Sequence, residues 1–453
     1  MDSALALKDV AVVVLAAGRG TRMKSDLPKA MHTVVGRPMV NHVIAAAAAI
    51  GPERVIVVTG PGDERTAEAV RPASVVIQRE PRGTADAVKA ARGALEGLAV
   101  DGDVAVLFGD APTLEACAIH DLVEVRRGSG AVASVLGVHV SSANRYGRLV
   151  VDADGSLERI VEFHDAGEAE RASTLCNSGM MSIEAGRLFD LLDEISNDNT
   201  KGEFYLSDIV AVARRRGLAT AVLETTDPDD TVGADDRADL ARFEAVMQRR
   251  LRHAAMLAGC SMVAPETVWL SWDTVIGHDV LIEPDVVIRP GVTIGNGAII
   301  RSFSHLEDCH VGDGAVIGPF ARLRPGTSLG TNTRIGNFVE IKASTLESGV
   351  KANHLAYVGD AEVGAGTNLG AGAVICNYDG VTKHPTRIGK GAFIGSNASL
   401  VAPLTIGDGT IVGAGSTITR DVGDDAMALE RAPQTVRDGV ASRWRRSKSG
   451  SGS

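Results

Sequence analysis

Two periodicities divide the chain. Up to about residue 232, runs rich in aliphatic and β-branched residues recur as AVVVL (11–15), RVIVV (54–58), SVVIQ (74–78) and VAVLF (104–108), each a candidate buried strand. Between them lie helical patterns such as MVNHVIAAAAAI, stopped by Gly51-Pro52. Alternation of strands and helices predicts a largely parallel, doubly wound α/β sheet. In such sheets ligands sit beyond the carboxyl ends of the strands, which is where LAAGRG and FGDAP fall.

From 236 to 258 the pattern is helical, with Leu240, Phe243, Met247 and Leu251 three or four apart and charges between them, as in a connecting arm. Beyond it the period changes to six. Leu270, Ile276, Ile282, Ile288, Ile294, Ile300 and Leu306 are followed, after a slip of one, by Val311, Ile317, Leu323, Leu329, Ile335 and Ile341. The series returns as Ile388, Ile394, Leu400, Ile406, Val412 and Ile418. A six-residue period fits neither a helix nor a lone strand. It fits a parallel β-helix with three short strands per coil, each laying one aliphatic side chain on a common axis, with small residues at the corners. Segments 347–356 and 376–387 interrupt the period and are expected to loop out of the prism, where sites tend to lie. The predicted division is a domain over 1–237, a helical linker over 238–258 and a β-helix over 259–453, with a disordered tail from about 442.

A net charge of −11 excludes a general nucleic-acid binder, so any phosphate site must be a local basic pocket. Apolar runs stay below the ~18 residues of a membrane span, and VAVVVLAAG reads as strand then turn, without the features of a secretory leader. Five scattered cysteines (117, 176, 260, 309, 376), never in CxxC spacing, fit free thiols in a reducing cytoplasm with no zinc site.

Candidate chemistry begins at LAAGRGTRMKSDLPKAMH, residues 15–32. Gly18 and Gly20 after a strand let backbone N–H groups approach a phosphate, and Arg22 and Lys29 add positive charge where pyrophosphate would leave. By itself such a turn serves equally as a tight strand-to-helix connection, and it is no Walker loop, because the closing Gly-Lys-Ser/Thr is missing. The whole string, with LPK after it, resembles the signature of sugar-nucleotide pyrophosphorylases. FGDAP (108–112) resembles that family's second block, in which an aspartate holds Mg²⁺. YGRLV (146–150), IVEFHDA (160–166), CNSGMM (176–181) and KGEFYLSDIV (201–210) extend the likeness. With the hexapeptide repeats they resemble the bacterial family of bifunctional N-acetylglucosamine-1-phosphate uridylyltransferases/glucosamine-1-phosphate N-acetyltransferases, over roughly residues 8 to 435.

The resemblance implies a Rossmann-like nucleotidyltransferase domain and a left-handed β-helix. The activities it implies are acetyl transfer from acetyl-CoA to glucosamine-1-phosphate, then uridylyl transfer from UTP to N-acetylglucosamine-1-phosphate. Their product is a precursor of peptidoglycan and lipopolysaccharide. Nucleotide contacts are implied at Leu15, Ala16, Ala17, Gly18, Lys29, Gln78, Gly83 and Thr84, and sugar or phosphate contacts at Phe108, Gly109, Asp110, Gly147, Glu162 and Asn177. Mg²⁺ would lie on Asp110 and Asp235. Three departures stand out: Phe108 replaces the usual Tyr, GTADA (83–87) replaces Gly-Thr-Gly-His-Ala, and Asp235 in GADDR replaces an Asn.

In the repeat region the resemblance makes His354, within NHLAYVGD, the base for the attacking amine. It assigns the sugar phosphate to Arg324 and Lys342, the sugar to Tyr357 and Asn368, and a CoA groove to Ala371, Asn377, Tyr378, Ser396, Ala414 and Arg431. The groove would draw partly on a neighbouring subunit of a homotrimer. His305, His310 and His384 read as structural. Partners are then small molecules and further copies of the chain, with no nucleic acid and no membrane. The alternative is a single-activity sugar-1-phosphate nucleotidyltransferase whose β-helix only assembles subunits or binds an effector.

Overall fold

The computed structural model describes residues 5–18, 20–140, 144–225 and 233–449. The chain divides into two compact units, Met1–Arg250 and Leu251–Ser453. The break falls inside the helix Arg237–Leu257, the segment that the sequence pattern set apart as a linker over 238–258. The buried residues of that helix are Phe243, Val246 and Gln248, so of the expected apolar stripe only Phe243 is sealed.

The first unit is built on a nine-stranded sheet. Its strands are β1 (Val10–Leu15), β2 (Arg54–Thr59), β3 (Ser74–Ile77), β4 (Asp103–Phe108), β5 (Ala133–His139), β6 (Arg148–Val151), β7 (Leu157–Val161), β8 (Leu175–Glu184) and β9 (Thr220–Thr225). The order is β9-β5-β8-β4-β1-β2-β3, with the β6–β7 hairpin attached to β8. β1 pairs parallel with both β4 and β2, whereas β8 runs antiparallel to β4 and β5. All six residues of β1 are buried. Ala11, Val13 and Leu15 enter one core, and Val10, Val12 and Val14 enter the other. Burial of both faces is why this strand is an unbroken apolar run.

Between β1 and β4 the chain order reverses, and Leu15 stands opposite Phe108 at their carboxyl ends. The two motif loops therefore leave the sheet side by side, at the crevice where doubly wound sheets bind ligands.

The second unit is a three-faced prism of short parallel strands in sheets of ten, eight and eight. Core residues of successive coils stack along one axis, as in Leu306, Leu323, Ile341, Val358, Ile375, Leu400 and Ile418. Ile276 alone of the nineteen repeat positions is only partly buried. The first interruption does not loop out. Lys351–His354 is a strand paired with Arg334–Asn337, and Ala352 takes the core position. Alanine hid the repeat there, and the sixth-residue count was lost because Leu346 and Val363 each come one residue early. The second interruption is a true insertion between the strands Val374–Cys376 and Thr386–Ile388.

Not all corners are made by small residues. Phe303, Phe320 and Phe338 occupy one corner at positive φ and stack at 4.8 and 5.2 Å between ring centroids. Ring stacking offsets part of the left-handed backbone cost. The expected disordered tail contains an exposed helix, Val440–Ser449, with no buried residue. Its run lacks Gly and Pro, which leaves helix available to it without tertiary contacts. Among the described residues no helix is long and apolar enough to cross a membrane.

Candidate active sites

At the sheet crevice the β1 turn is fixed by Ala16 N–H donating to the Val58 carbonyl at 2.8 Å and Gly109 N–H donating to the Leu15 carbonyl at 2.9 Å. Gly20 has φ +63°, and a Cβ there would lie 2.5 Å from Lys29 Cβ, so only glycine lets the turn close on the lysine stem. Lys29 Nζ lies 2.5 Å from Asp110 Oδ2 and 3.3 Å from Asp235 Oδ1. Arg22 reaches the same Asp235 at 2.6 Å. Burial would lower the Lys29 pKa, but the two carboxylates outweigh it and hold the ammonium above its ordinary value. Four sequence-predicted residues from three distant segments thus form one cluster. Gly233 permits it: a Cβ there would stand 2.8 Å from Asp110 Oδ1.

Gln78, Gly83 and Thr84 also come together. Gln78 Nε2 donates to the Gly83 carbonyl at 3.0 Å, and the Thr84 hydroxyl accepts from Leu206 N–H at 2.8 Å. Beside them opens a cavity of about 270 Å³ that contains Thr84, Phe108, Gly147, Glu162 and Asn177. The Phe108 ring covers Gly179, where a Cβ would be 2.6 Å from it. Asn177 Oδ1 accepts from Gly179 N–H at 2.8 Å, and Glu162 Oε1 accepts from Ser207 Oγ at 2.9 Å. Lys201, Glu203, Tyr205 and Ser207 share this lining. Sequence reasoning assigned them no role, although KGEFYLSDIV was the signal that held them. Asp208, next to the lining, is pushed up to about 6 by burial and then by Glu162 and Asp165.

On the prism, His354 is exposed at a corner, its Nδ1 2.7 Å from Asn337 Oδ1. Asn337 pairs with it across adjacent coils. An amide oxygen can only accept, so in this contact Nδ1 bears the hydrogen and Nε2 takes no part. Above it the backbone climbs one column. Gly372 N–H donates to the His354 carbonyl at 3.2 Å, Asn397 N–H to Ala371 at 2.8 Å and Gly415 N–H to Ser396 at 2.8 Å. Arg431 Nη1 closes it on the Ala414 carbonyl at 3.2 Å. Five predicted residues therefore share one edge.

Arg324, Lys342 and Asn377 stand at another corner. Arg324 N–H donates to Ile341 at 2.9 Å, and Asp360 N–H donates to Lys342 at 3.1 Å. Asn377 Nδ2 donates to Asp360 Oδ2 at 2.5 Å. Arg324 Nη1 meets Glu340 Oε1 at 2.7 Å. Tyr357 pairs with Glu340 on the face between the two corners, and Asn368 pairs with Lys351 on the His354 face. Tyr378 lies in the insertion, its hydroxyl donating to the Gly380 carbonyl at 2.6 Å. The insertion also carries Lys383, whose ammonium is held below its ordinary pKa by Lys342 beside it. A partner folded back by a loop leaves no spacing in sequence, and Lys383 went unread. Of the histidines set aside, His310 pairs with Thr293 Oγ1 at 2.8 Å and His384 with Asp379 Oδ2 at 2.7 Å. All five cysteines are free thiols.

A crevice of clustered charge on an α/β sheet, in one chain with a hexapeptide prism, defines a two-domain transferase. The MobA-like NTP transferase domain matches residues 12–173, and the bacterial transferase hexapeptide (six repeats) matches 273–307, 308–343 and 385–420. "Bifunctional protein GlmU" of Paramagnetospirillum magneticum is 50% identical over 442 residues, 97% of this chain and 98% of that protein. Its counterpart in Bradyrhizobium sp. is 52% identical over 440 residues, 96% and 97% of the two chains. The chain belongs to the family of bifunctional GlmU proteins. It is an enzyme with two activities, acetyl transfer and uridylyl transfer, in the synthesis of UDP-N-acetylglucosamine.

Proposed function

We propose that uridylyl transfer takes place over the β1–β4 crevice and acetyl transfer at the His354 corner, with the residue roles that follow. The phosphate oxygen of N-acetylglucosamine-1-phosphate attacks the α-phosphorus of UTP in line, and pyrophosphate leaves. Arg22 and Lys29 supply positive charge to the departing phosphates. Leu15 to Gly18 bring backbone close to the nucleotide, Gln78 meets the base, and Glu162 and Asn177 meet the sugar. The reading rests on one observation: Lys29 is held between Asp110 and Asp235 at the mouth of the crevice.

The same two carboxylates suit a divalent cation. They offer hard oxygen donors where an ammonium already sits, and Gly233 leaves room against Asp110. Asp110 and Asp235 would hold Mg²⁺. The ion would neutralise charge on the triphosphate. Asp235→Asn, the family's usual residue, should shift the Mg²⁺ concentration needed for half-maximal uridylyl transfer. Superimposable titrations would remove Asp235 from the ligand set.

In the prism His354 Nε2 takes the proton of the glucosamine-1-phosphate amine as it attacks the acetyl thioester, and the CoA thiolate departs. The Ala371–Ser396–Ala414–Arg431 edge lines the acetyl-CoA groove, with Asn377 and Tyr378, while Arg324 and Lys342 grip the sugar phosphate and Tyr357 and Asn368 the sugar. The His354 column and the Arg324–Lys342 column lie at different corners of one chain, which favours a homotrimer whose neighbours complete each site. The cytoplasm, where UTP and acetyl-CoA are made, is the compartment that fits. Thiol release from acetyl-CoA with glucosamine-1-phosphate, run beside pyrophosphate release from UTP, tests both halves. Absence of either product would reduce the chain to one activity.

A further inference from the structure

At the end of β3 the Gln78 side chain is buried, with 6% of the residue exposed. Its amide nitrogen donates twice, to the Gly83 carbonyl at 3.0 Å and to Asp86 Oδ2 at 2.9 Å. Both partners can only accept, so both amide hydrogens are consumed. Turning the amide over would press its oxygen against a carbonyl and a carboxylate. Among the described residues Gln78 Oε1 has no protein partner, and it is not sealed from solvent. The clamp is itself rigid. Gly83 and Asp86 belong to the start of the helix Thr84–Ala90, and Ala85 N–H is pinned to the Phe204 carbonyl at 3.0 Å. Asp86 stands in the first turn, where the helix dipole favours a carboxylate.

We propose that Asp86 is a positioning residue for base specificity: by taking the second amide hydrogen it fixes Gln78 as a pure acceptor toward the nucleobase. An acceptor at that place matches a pyrimidine that carries a ring N3–H, as uracil does. It opposes the N3 lone pair of cytosine, to which a freely turning amide could donate. The inference rests on the reading that Gln78 meets the base, and it gives one of the family departures, the Asp of GTADA, a definite task.

The test compares kcat/KM for UTP and CTP in the full-length protein. Asp86→Ala should lower the UTP:CTP ratio by about tenfold, the loss of roughly one charge-assisted hydrogen bond's worth of orientation. The change should fall on KM for UTP and on CTP use, with kcat for UTP kept. Asp86→Asn, whose side-chain oxygen can still accept, should restore the ratio, which a merely structural role would not require. If the alanine variant does not fold, Asp86→Ser, too short to reach the amide, serves in its place. An unchanged ratio in Asp86→Ala or Asp86→Ser, with a raised KM for UTP in Gln78→Ala, overturns the clamp alone. A Gln78→Ala protein with unchanged KM for UTP overturns the base reading and the clamp with it.

Discussion

A histidine on a prism corner is poorly placed to be a base unless something fixes which nitrogen carries the proton. Asn337 does so for His354 from one coil below, at 2.7 Å. Replacing His354 by Ala should cost acetyl transfer about 10²–10⁴-fold, the usual share of a general base, and leave uridylyl transfer unchanged in the same preparation. Asn337→Ala should give a smaller loss of acetyl transfer, because the imidazole remains but is free to take the unproductive tautomer. Steady-state rates of both reactions, measured in parallel, check the pair. The contrast between these residues also shows what was legible. His354 was found from its motif, whereas Asn337 becomes its partner only through a coil of 17 residues, a length that the sixth-residue count did not anticipate.

At the scale of elements, the sheet is held at its amino end by Asp103, the first residue of β4 and fully buried. It accepts from Arg127 Nε at 2.7 Å and Ser182 Oγ at 2.9 Å, and it pairs with the buried Arg126. Asp103→Ala would strand the Arg126 guanidinium without its counter-ion, and the cost should be about 3–5 kcal/mol, read as a lower denaturation midpoint. The helix Asp208–Arg215 carries a strain of the opposite kind at its first residue. Burial and the nearby Glu162 and Asp165 push the Asp208 carboxyl up to about 6 from 3.8. A raised folded-state pKa means that the native state holds the proton more tightly than the unfolded chain. Stability should therefore fall as pH climbs from about 4 to about 6 and stay lower above that. Asp208→Asn should flatten that slope and be relatively more stable at neutral pH than at acid pH. Urea midpoints across this range check it.

At the scale of the whole molecule, the spacing of residues around the prism bears on how many chains make one acetyl-transfer site. One prism presents His354 at one corner and Arg324 and Lys342, the residues proposed for the sugar phosphate, at another. If neighbours complete the site, His354→Ala and Lys342→Ala proteins, each nearly inactive, should regain part of the acetyl transfer when mixed, unfolded and refolded together. No recovery, or a monomer by light scattering, would place the whole site in one chain.

The first four strands of the sheet and the stacked prism were written in the sequence, because burial imposes periods that aliphatic residues repeat visibly, whereas the antiparallel β8 and the β6–β7 hairpin beside it were not read from any period. β1 reads as buried on both faces, and eighteen of nineteen repeat positions are sealed in the axis. Motif strings carried the charged cluster and the His354 edge. What the sequence could not settle was where spacing carries no signal. Ala352 keeps the coil going without an aliphatic landmark, Lys383 returns to Lys342 over an insertion, and Asp86 turns toward Gln78. Those contacts join residues whose separation is set by loops and coil length rather than by any local period, so only the folded chain could decide them.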